Sequence, residues 1–569
     1  MTDELNCDHL TSQKILEART VHGRPYSDPI PRFESVGSLL QSQAQERGGQ
    51  TFLIYRDGDE RCEFTYAEFY VRCCQVANFM RRGLGIQPDQ RIATFAYNHP
   101  ETVIVNFAAW MIGACIVPIS ATEADDRVIF IQENAEVRAI FVMPDLIERY
   151  GPLRTDNIEH VVQMCGKPVE GYKQLQDAVT RQPARLDESQ LANLDTEALI
   201  VYTSGTTGLP KGVVLQHHQL LVDAHAIAEW CGLAPEDRMQ IVLPIHHVNG
   251  LIVTLVTPMY FGGSAVLNRK FSASRYCEVA IQEGATCGSA VPTILAFMCE
   301  QAECESLQRH GRFKFMICGA GPLTIELATR FEEKFGIPII HGYGLSETTA
   351  YSCLMPLNLR EDDHRRWLRQ YGYPSIGVPV MCNEMDIHDG EGTPLGADQK
   401  GEIVIRGQNV MKCYFKRPEA NADTFKYGWF RSGDEGFYKF DEHGRRFFFI
   451  SGRMKELIIR GGINYSPLEV DEVINGVAGV KAGMCVGFEN TFYGEEIGAY
   501  VVCEEGIVLT ADVFLEACAE QLPFERRPKV VVFGTEFPVT STGKYQRNKL
   551  KPLFEEYRNV KFSKPKERP

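Results

Sequence analysis

The sequence predicts an α/β protein ending in a smaller α+β unit. Apolar strand-like runs alternate with helical runs through the first two thirds, Glu384 to Arg406 carries antiparallel alternation broken by DGEG, and a new strand–helix pattern starts near Gly452. With 569 residues, 44% of them hydrophobic, the chain can bury several cores.

Each element has a local reason. Thr65 and Glu68 form a capping box that opens an amphipathic helix to about Arg82. A strand is expected over Arg91 to Tyr97, a helix over Glu101 to Ile112 and another apolar segment over Cys115 to Ile119. An apolar strand from Ala198 to Thr203 precedes TSGTTGLPKG at 203–212, and Gln216 to Trp230 reads as the helix after it. Strands follow at Gln240 to Leu243 and Arg312 to Cys318, whereas the charged stretch Asn358 to Gln370 reads as an irregular surface excursion. In the last unit, helices are expected at Pro467 to Ile474 and Ala511 to Gln521, with strands at Gly483 to Gly487 and Ile497 to Cys503. The tail KFSKPKERP reads as disordered.

Composition narrows the function. The net charge of −15 argues against nucleic acid as the main partner, since that binding needs clustered Lys and Arg. The apolar run Val103 to Ile119 is interrupted by Asn106, Gly113 and Pro118, so no stable membrane insertion is expected, and the acidic start predicts a cytoplasmic protein. The 18 cysteines show no C-x-x-C and read as reduced, buried small hydrophobes. Nothing in the sequence fixes the oligomeric state, and a homodimer stays open.

The glycine-rich loop is either a connector or a cradle in which N–H groups and hydroxyls meet oxyanions. It is no Walker A loop, because Pro210 precedes Lys211 and Gly212 stands where a Ser or Thr would hold magnesium. Further polar blocks accompany it in order: LPIHHVNG (243–250), GAGPL (319–323), YGLSETT (343–349), GWFRSGDEG (428–436), GRMKELIIRGG (452–462) and PVTSTGK (538–544).

Over roughly residues 35 to 555, this ordered set resembles the adenylate-forming superfamily, and within it the acyl-CoA synthetases. The resemblance implies a large region of two α/β subdomains plus a distorted β-barrel, residues 1–451, and a small lid domain, residues 452–569. It implies activation of an organic carboxylic acid by ATP to acyl-AMP and pyrophosphate, then transfer to CoA, with Mg2+. Charge moves between phosphate oxygens in the first step, so placed cations and N–H donors matter more than a proton-transfer group.

The resemblance also implies the roles of the residues. Ser204, Thr206, Thr207 and Lys211 hold the leaving phosphates. Gly319, Ala320, Gly321 and Pro322 lie over adenine, and Tyr343 stacks on it. Ser346 meets the α-phosphate, Glu347 holds magnesium, Asp434 accepts from the ribose hydroxyls and Arg453 contacts the nucleotide. Lys544 enters for adenylation, Lys455 is the hinge, His247 lines the acyl–pantetheine junction, and Gly461 and Gly462 wall the thiol path. Ala224, Val248, Asn249, His341 and Gly342 line a mixed acid pocket, and Arg526, Arg527 and Lys529 are candidates for CoA phosphates. The block 246–249 has no aspartate to hold an α-ammonium, which argues against a free amino acid. A carrier-protein loader, a luciferase-like oxygenase and a non-catalytic acyl-adenylate binder remain the other readings.

Overall fold

The computed structural model describes residues 7–186, 192–203, 210–301, 307, 311–539 and 545–563. Ser204, Thr206, Thr207 and Lys544 lie outside them, as does the last part of the basic tail.

Two mixed sheets form the body of the large region. The nine-stranded sheet carries five parallel neighbours at its centre, in the order Ile339–Tyr343, Phe315–Cys318, Cys287–Ala290, Arg238–Ile241 and Ser264–Asn268. The eight-stranded sheet is built around Glu197–Thr203, Cys115–Ser120, Arg91–Ala96 and Val137–Val142. Val, Ile and Ala dominate these strands because both faces are covered. A four-stranded antiparallel sheet follows, in the order Asn383–His388, Gly401–Gly407, Phe430–Phe440 and Arg446–Arg453. The last sheet, five strands from Ile458 onward, carries helices Pro467–Asn475 and Ala511–Gln521.

Several local expectations hold. The Thr65–Glu68 capping box is formed reciprocally, and its helix runs Tyr66–Asn78 before a single π-turn at Phe79–Gly83. Helix Pro100–Met111 and strand Arg91–Ala96 lie within a residue of their expected bounds.

Three expectations fail. The helix expected over Gln216 to Trp230 is present as His217–Trp230, but the glycine-rich loop does not lead straight into it: Lys211–Gln216 is an intervening strand, antiparallel to Glu197–Thr203. Val213, Val214 and Leu215 of that strand pack in the interior, as β-branched and aliphatic side chains do on a covered sheet. The loop therefore spans a hairpin, with Thr203 opposite Lys211, and no helix dipole supports it.

The stretch Asn358 to Gln370 contains a helix, Glu361–Arg369, whose Trp367 is buried and stacked on Phe447 at 3.9 Å. A single aromatic stripe among charges anchors it. Among the described residues sixteen cysteines are free, but Cys277 is joined in a disulfide, against the uniformly reduced reading. No helix among the described residues is long and apolar enough to cross a membrane.

Candidate active site

The predicted residues collect at the carboxyl ends of the central parallel strands, where crevices form in open α/β sheets. Strand Arg238–Ile241 leads to the loop carrying His246, His247 and Asn249. Strand Phe315–Cys318 runs straight into Gly319–Pro322, and its neighbour Ile339–Tyr343 runs into Ser346 and Glu347. The sheet thus brings three separate sequence blocks to one edge.

Tyr343, Asp434 and Arg453 form the tightest polar cluster. Asp434 is buried and receives the Tyr343 hydroxyl on Oδ2 at 2.7 Å and Arg453 Nε on Oδ1 at 3.0 Å. Arg453 stands directly opposite Asp434 in the antiparallel register of their strands, which fixes the pair without a long-range search. The Asp434 charge holds the Arg453 guanidinium above its usual range, while burial raises the Tyr343 phenol and the same carboxylate adds to it. A carboxylate has about four lone-pair positions, so two are left for further donors.

Glu347 is half-buried in a turn. Its Oε1 accepts from the Tyr414 hydroxyl at 2.8 Å, and Lys211 Nζ lies 4.6 Å from the centre of the same ring. Tyr414 pairs with Val213 on the hairpin of the glycine-rich loop, so one phenol joins the Glu347 carboxylate to the Lys211 cation. The sequence reading missed Tyr414. It sits in the two-residue strand Cys413–Tyr414, which in the sequence looks like any short buried edge strand.

Behind the turn the backbone is strained. Thr349, a β-branched residue, sits at φ +66, and its Oγ1 donates to the Asn409 carbonyl at 2.7 Å. Asn409 Nδ2 donates to Asp223 Oδ1 at 3.0 Å, its Oδ1 accepts from Asn383 at 2.6 Å, and Met411 N–H donates to the Glu347 carbonyl at 2.8 Å. This fully buried network fixes the turn that presents Glu347.

Burial raises the Asp223 carboxyl to about 8. Its unfolded value is about 3.9, so the folded chain binds the extra proton between these limits. The associated stability is complete below the lower value and is lost as pH rises through the higher one. Asp223→Asn is accordingly expected to melt above wild type at pH 8.5 and level with it at pH 5, by thermal unfolding at both pH values. Equal melting differences at the two values would reject the titration.

The acid-pocket candidates divide. Asn249 Nδ2 donates to the Tyr351 hydroxyl at 3.1 Å and its Oδ1 accepts from Ser289 at 2.8 Å. The Tyr351 ring packs on two predicted glycines: a Cβ on Gly319 would come within 2.7 Å of its hydroxyl, and one on Gly342 within 2.9 Å of its ring. Tyr351 and Ser289 were not predicted, since a Tyr eight residues after Tyr343 has no helical or strand period to mark it. His341 is buried, donates from Nδ1 to the Ser375 carbonyl at 2.8 Å, and is pushed down to about 4 by burial. Ala224 is enclosed in the core, and Val248 is buried beside Asn249.

The histidine pair has rings 4.4 Å apart, and burial pushes His246 down to about 4, so it is neutral at physiological pH. No group of three or more His, Cys, Asp or Glu among the described residues can hold a metal by itself.

Other candidates stand apart. Gly461 and Gly462 are exposed with positive φ, and a Cβ on either would meet nothing within 4 Å. Lys455 is exposed between the last two sheets. Lys529 is enclosed at 3.3 Å from Glu496, and Arg526 pairs with Glu469 at 2.6 Å. Burial draws the Lys529 ammonium down to about 8.

Comparison with known proteins decides the family. The family described as AMP-binding enzyme matches residues 40–415. The chain belongs to it. Sulfoacetate–CoA ligase of Cupriavidus necator is 32% identical over 532 residues, covering 91% of this chain and 97% of that protein. Crotonobetaine/carnitine–CoA ligase of Citrobacter koseri is 29% identical over 531 residues, covering 91% and 99%. The crystal structure of the anthranilate CoA ligase AuaEII in complex with anthranoyl-AMP superposes with a TM-score of 0.82 at 24% identity, covering 93% of this chain and 98% of that one.

As an AMP-binding enzyme the chain has a donor set suited to a hard cation that arrives with phosphates. Glu347 supplies one carboxylate, and its Oε2 has no hydrogen-bond partner among the described residues. Mg2+ is held by one or two carboxylates together with substrate phosphates and water, and a single half-buried Glu beside a cradle hairpin fits that habit.

Proposed function

We propose that this AMP-binding enzyme is an acid–CoA ligase that uses the Asp434 cluster to hold the ATP ribose and Glu347 to hold Mg2+ on the phosphates. The buried Tyr343–Asp434–Arg453 cluster at the carboxyl ends of the parallel strands is the observation that carries the reading. In the first step an acid oxygen bonds to the α-phosphorus and the bond to pyrophosphate breaks. In the second, the CoA thiol bonds to the acyl carbon, loses its proton, and AMP leaves.

Lys211 and the Ser204, Thr206 and Thr207 hydroxyls offset the charge gathering on pyrophosphate, and Lys544 does the same at the acid and α-phosphate. Ser346 contacts the α-phosphate, and Gly319 to Pro322 cover one face of the adenine. Magnesium supplies a Lewis acid for the phosphates. Residues 452–569 form the lid, turning about Lys455 so that Gly461 and Gly462 replace the Lys544 segment for the thiol step, with His247 at the junction of acid and thiol paths.

The acid pocket is floored by Asn249, Tyr351 and Ser289, which favours an acid with a second hydrogen-bonding group beyond its carboxylate. The relatives named for sulfoacetate and for crotonobetaine or carnitine support a small polar acid. The three groups already bond one another, so a purely aliphatic chain would forgo only their remaining donor and acceptor positions, and the preference against it is modest.

The test is ATP–pyrophosphate exchange across a panel of polar, aromatic and aliphatic acids, with CoA thioester formation read separately. Acid-dependent exchange followed by CoA-dependent thioester is the expected result, with polar short acids ahead. Exchange without any thioester would favour a carrier-protein acceptor, and silence across the panel in protein that binds ATP would favour a non-catalytic binder.

A further inference from the structure

The seam between the large region and the last sheet contains one contact that the roles above do not use. Helix Pro467–Asn475 crosses helix Ile325–Phe335, and both carboxylate oxygens of Glu472 accept from the Ile325 backbone N–H, at 3.1 and 3.3 Å. Thr324 already caps its own helix by accepting from Leu327 N–H at 3.2 Å. Ile325 N–H belongs to the terminal donors a helix cannot satisfy internally, and a side chain from across the seam supplies its acceptor.

Neighbouring contacts lie on the same seam. Lys481 pairs with Glu300 at 3.4 Å. Burial raises the Tyr545 phenol and the Glu300 carboxylate adds to it, so the residue that follows the 540–544 segment faces the large region.

The glycine hairpin of the same unit is exposed. Ile459 and Ile463, on the two strands flanking Gly461 and Gly462, are 53% and 58% exposed. Glu472 thus rests on the large region while the strands flanking the glycine hairpin remain exposed. A rigid turn that brings the hairpin inward has to lift Glu472 off Ile325.

We propose that Glu472 is a positioning residue that latches the small unit in the adenylation orientation by capping Ile325, and that each turnover breaks this contact before thioester formation. The proposal rests on the two-step reading above. Burial raises the Glu472 carboxyl to about 8, against the pull of the Ile325 N–H. Closing the seam thus desolvates the acid and keeps the contact weak enough to open on every cycle.

The experiment compares full-length wild type, Glu472→Ala and Glu472→Gln. In Glu472→Ala, acid-dependent pyrophosphate exchange is expected to fall about five- to tenfold, the scale of one lost hydrogen bond, while thioester formation from supplied acyl-adenylate and CoA stays within about twofold. Glu472→Gln keeps an acceptor oxygen and restores exchange. Tryptic cleavage at Arg453 and Lys455 is expected to speed up in the Ala variant only.

Equal losses in both half-reactions with a lowered melting temperature would assign Glu472 a structural role and overturn the latch. So would unchanged cleavage in Glu472→Ala. If wild type shows no acid-dependent exchange, the ligase reading fails by itself, and the cleavage comparison still decides whether Glu472 holds the unit.

Discussion

Replacing Asp434 with Ala is expected to lower kcat/KM for ATP by about a hundredfold or more, while the KM for the acid changes little. The carboxylate accepts from both Tyr343 and Arg453, and its remaining lone pairs are proposed to take both ribose hydroxyls. Hydrogen bonds to a charged group contribute about 1.5–3 kcal/mol each, and two of them give the expected loss at about 1.4 kcal/mol per tenfold. Removing the acceptor also frees Arg453, which is half-exposed and can rehydrate, so the fold should survive.

Asp434→Asn separates shape from charge. The amide keeps one acceptor for Tyr343 but turns its NH2 toward Arg453 or loses the second ribose contact, so an intermediate loss is expected. Steady-state kinetics with ATP and acid varied in turn, together with melting temperatures, make the check. An Ala variant within threefold of wild type for ATP would remove Asp434 from the nucleotide site.

The sequence made parts of this site legible for a physical reason. Asp434 and Arg453 sit in blocks whose order along the chain is informative, and their strand register then pairs them directly. Gly319 and Gly342 were named as site positions, and the Tyr351 ring packed on both shows why no side chain fits there. Tyr351 itself stayed hidden, because its role comes from a turn and a long-range approach to Asn249 rather than from any period in the sequence. Tyr414 was missed for the same reason: its partner Glu347 is 67 residues away, and Lys211 is farther still along the chain.

Two short segments escaped the sequence reading for one cause, the first a strand it did not name and the second a helix it read as irregular. Lys211 to Gln216 and Glu361 to Arg369 are both short segments whose state is set by what they pack against. The first is drawn into a hairpin by a neighbouring strand, and the second into a helix by Trp367 on Phe447. Where burial was continuous and caps were present, as in Tyr66–Asn78, local pattern and tertiary packing agreed.

Lys544→Ala carries the other large expected effect, and it is asymmetric. Acid-dependent pyrophosphate exchange should fall by about a hundred- to a thousandfold, the loss seen when one preorganised donor is taken from a developing oxyanion. Thioester formation from supplied acyl-adenylate and CoA should remain within a few-fold, because the proposed cycle places the glycine hairpin, and not this lysine, at the reacting carbon in that step. Lys544→Arg is a poor rescue, since a planar fork cannot reproduce a compact ammonium at the meeting point of carboxylate and α-phosphate. Rapid-quench measurement of the two half-reactions decides. If both slow equally, Lys544 does not leave the site between steps, and neither a turning lid nor the Glu472 latch is needed to explain how one crevice serves two reactions. If only exchange falls, the exposed Gly461–Gly462 hairpin acquires its purpose: it is the surface that has to arrive when the lysine departs.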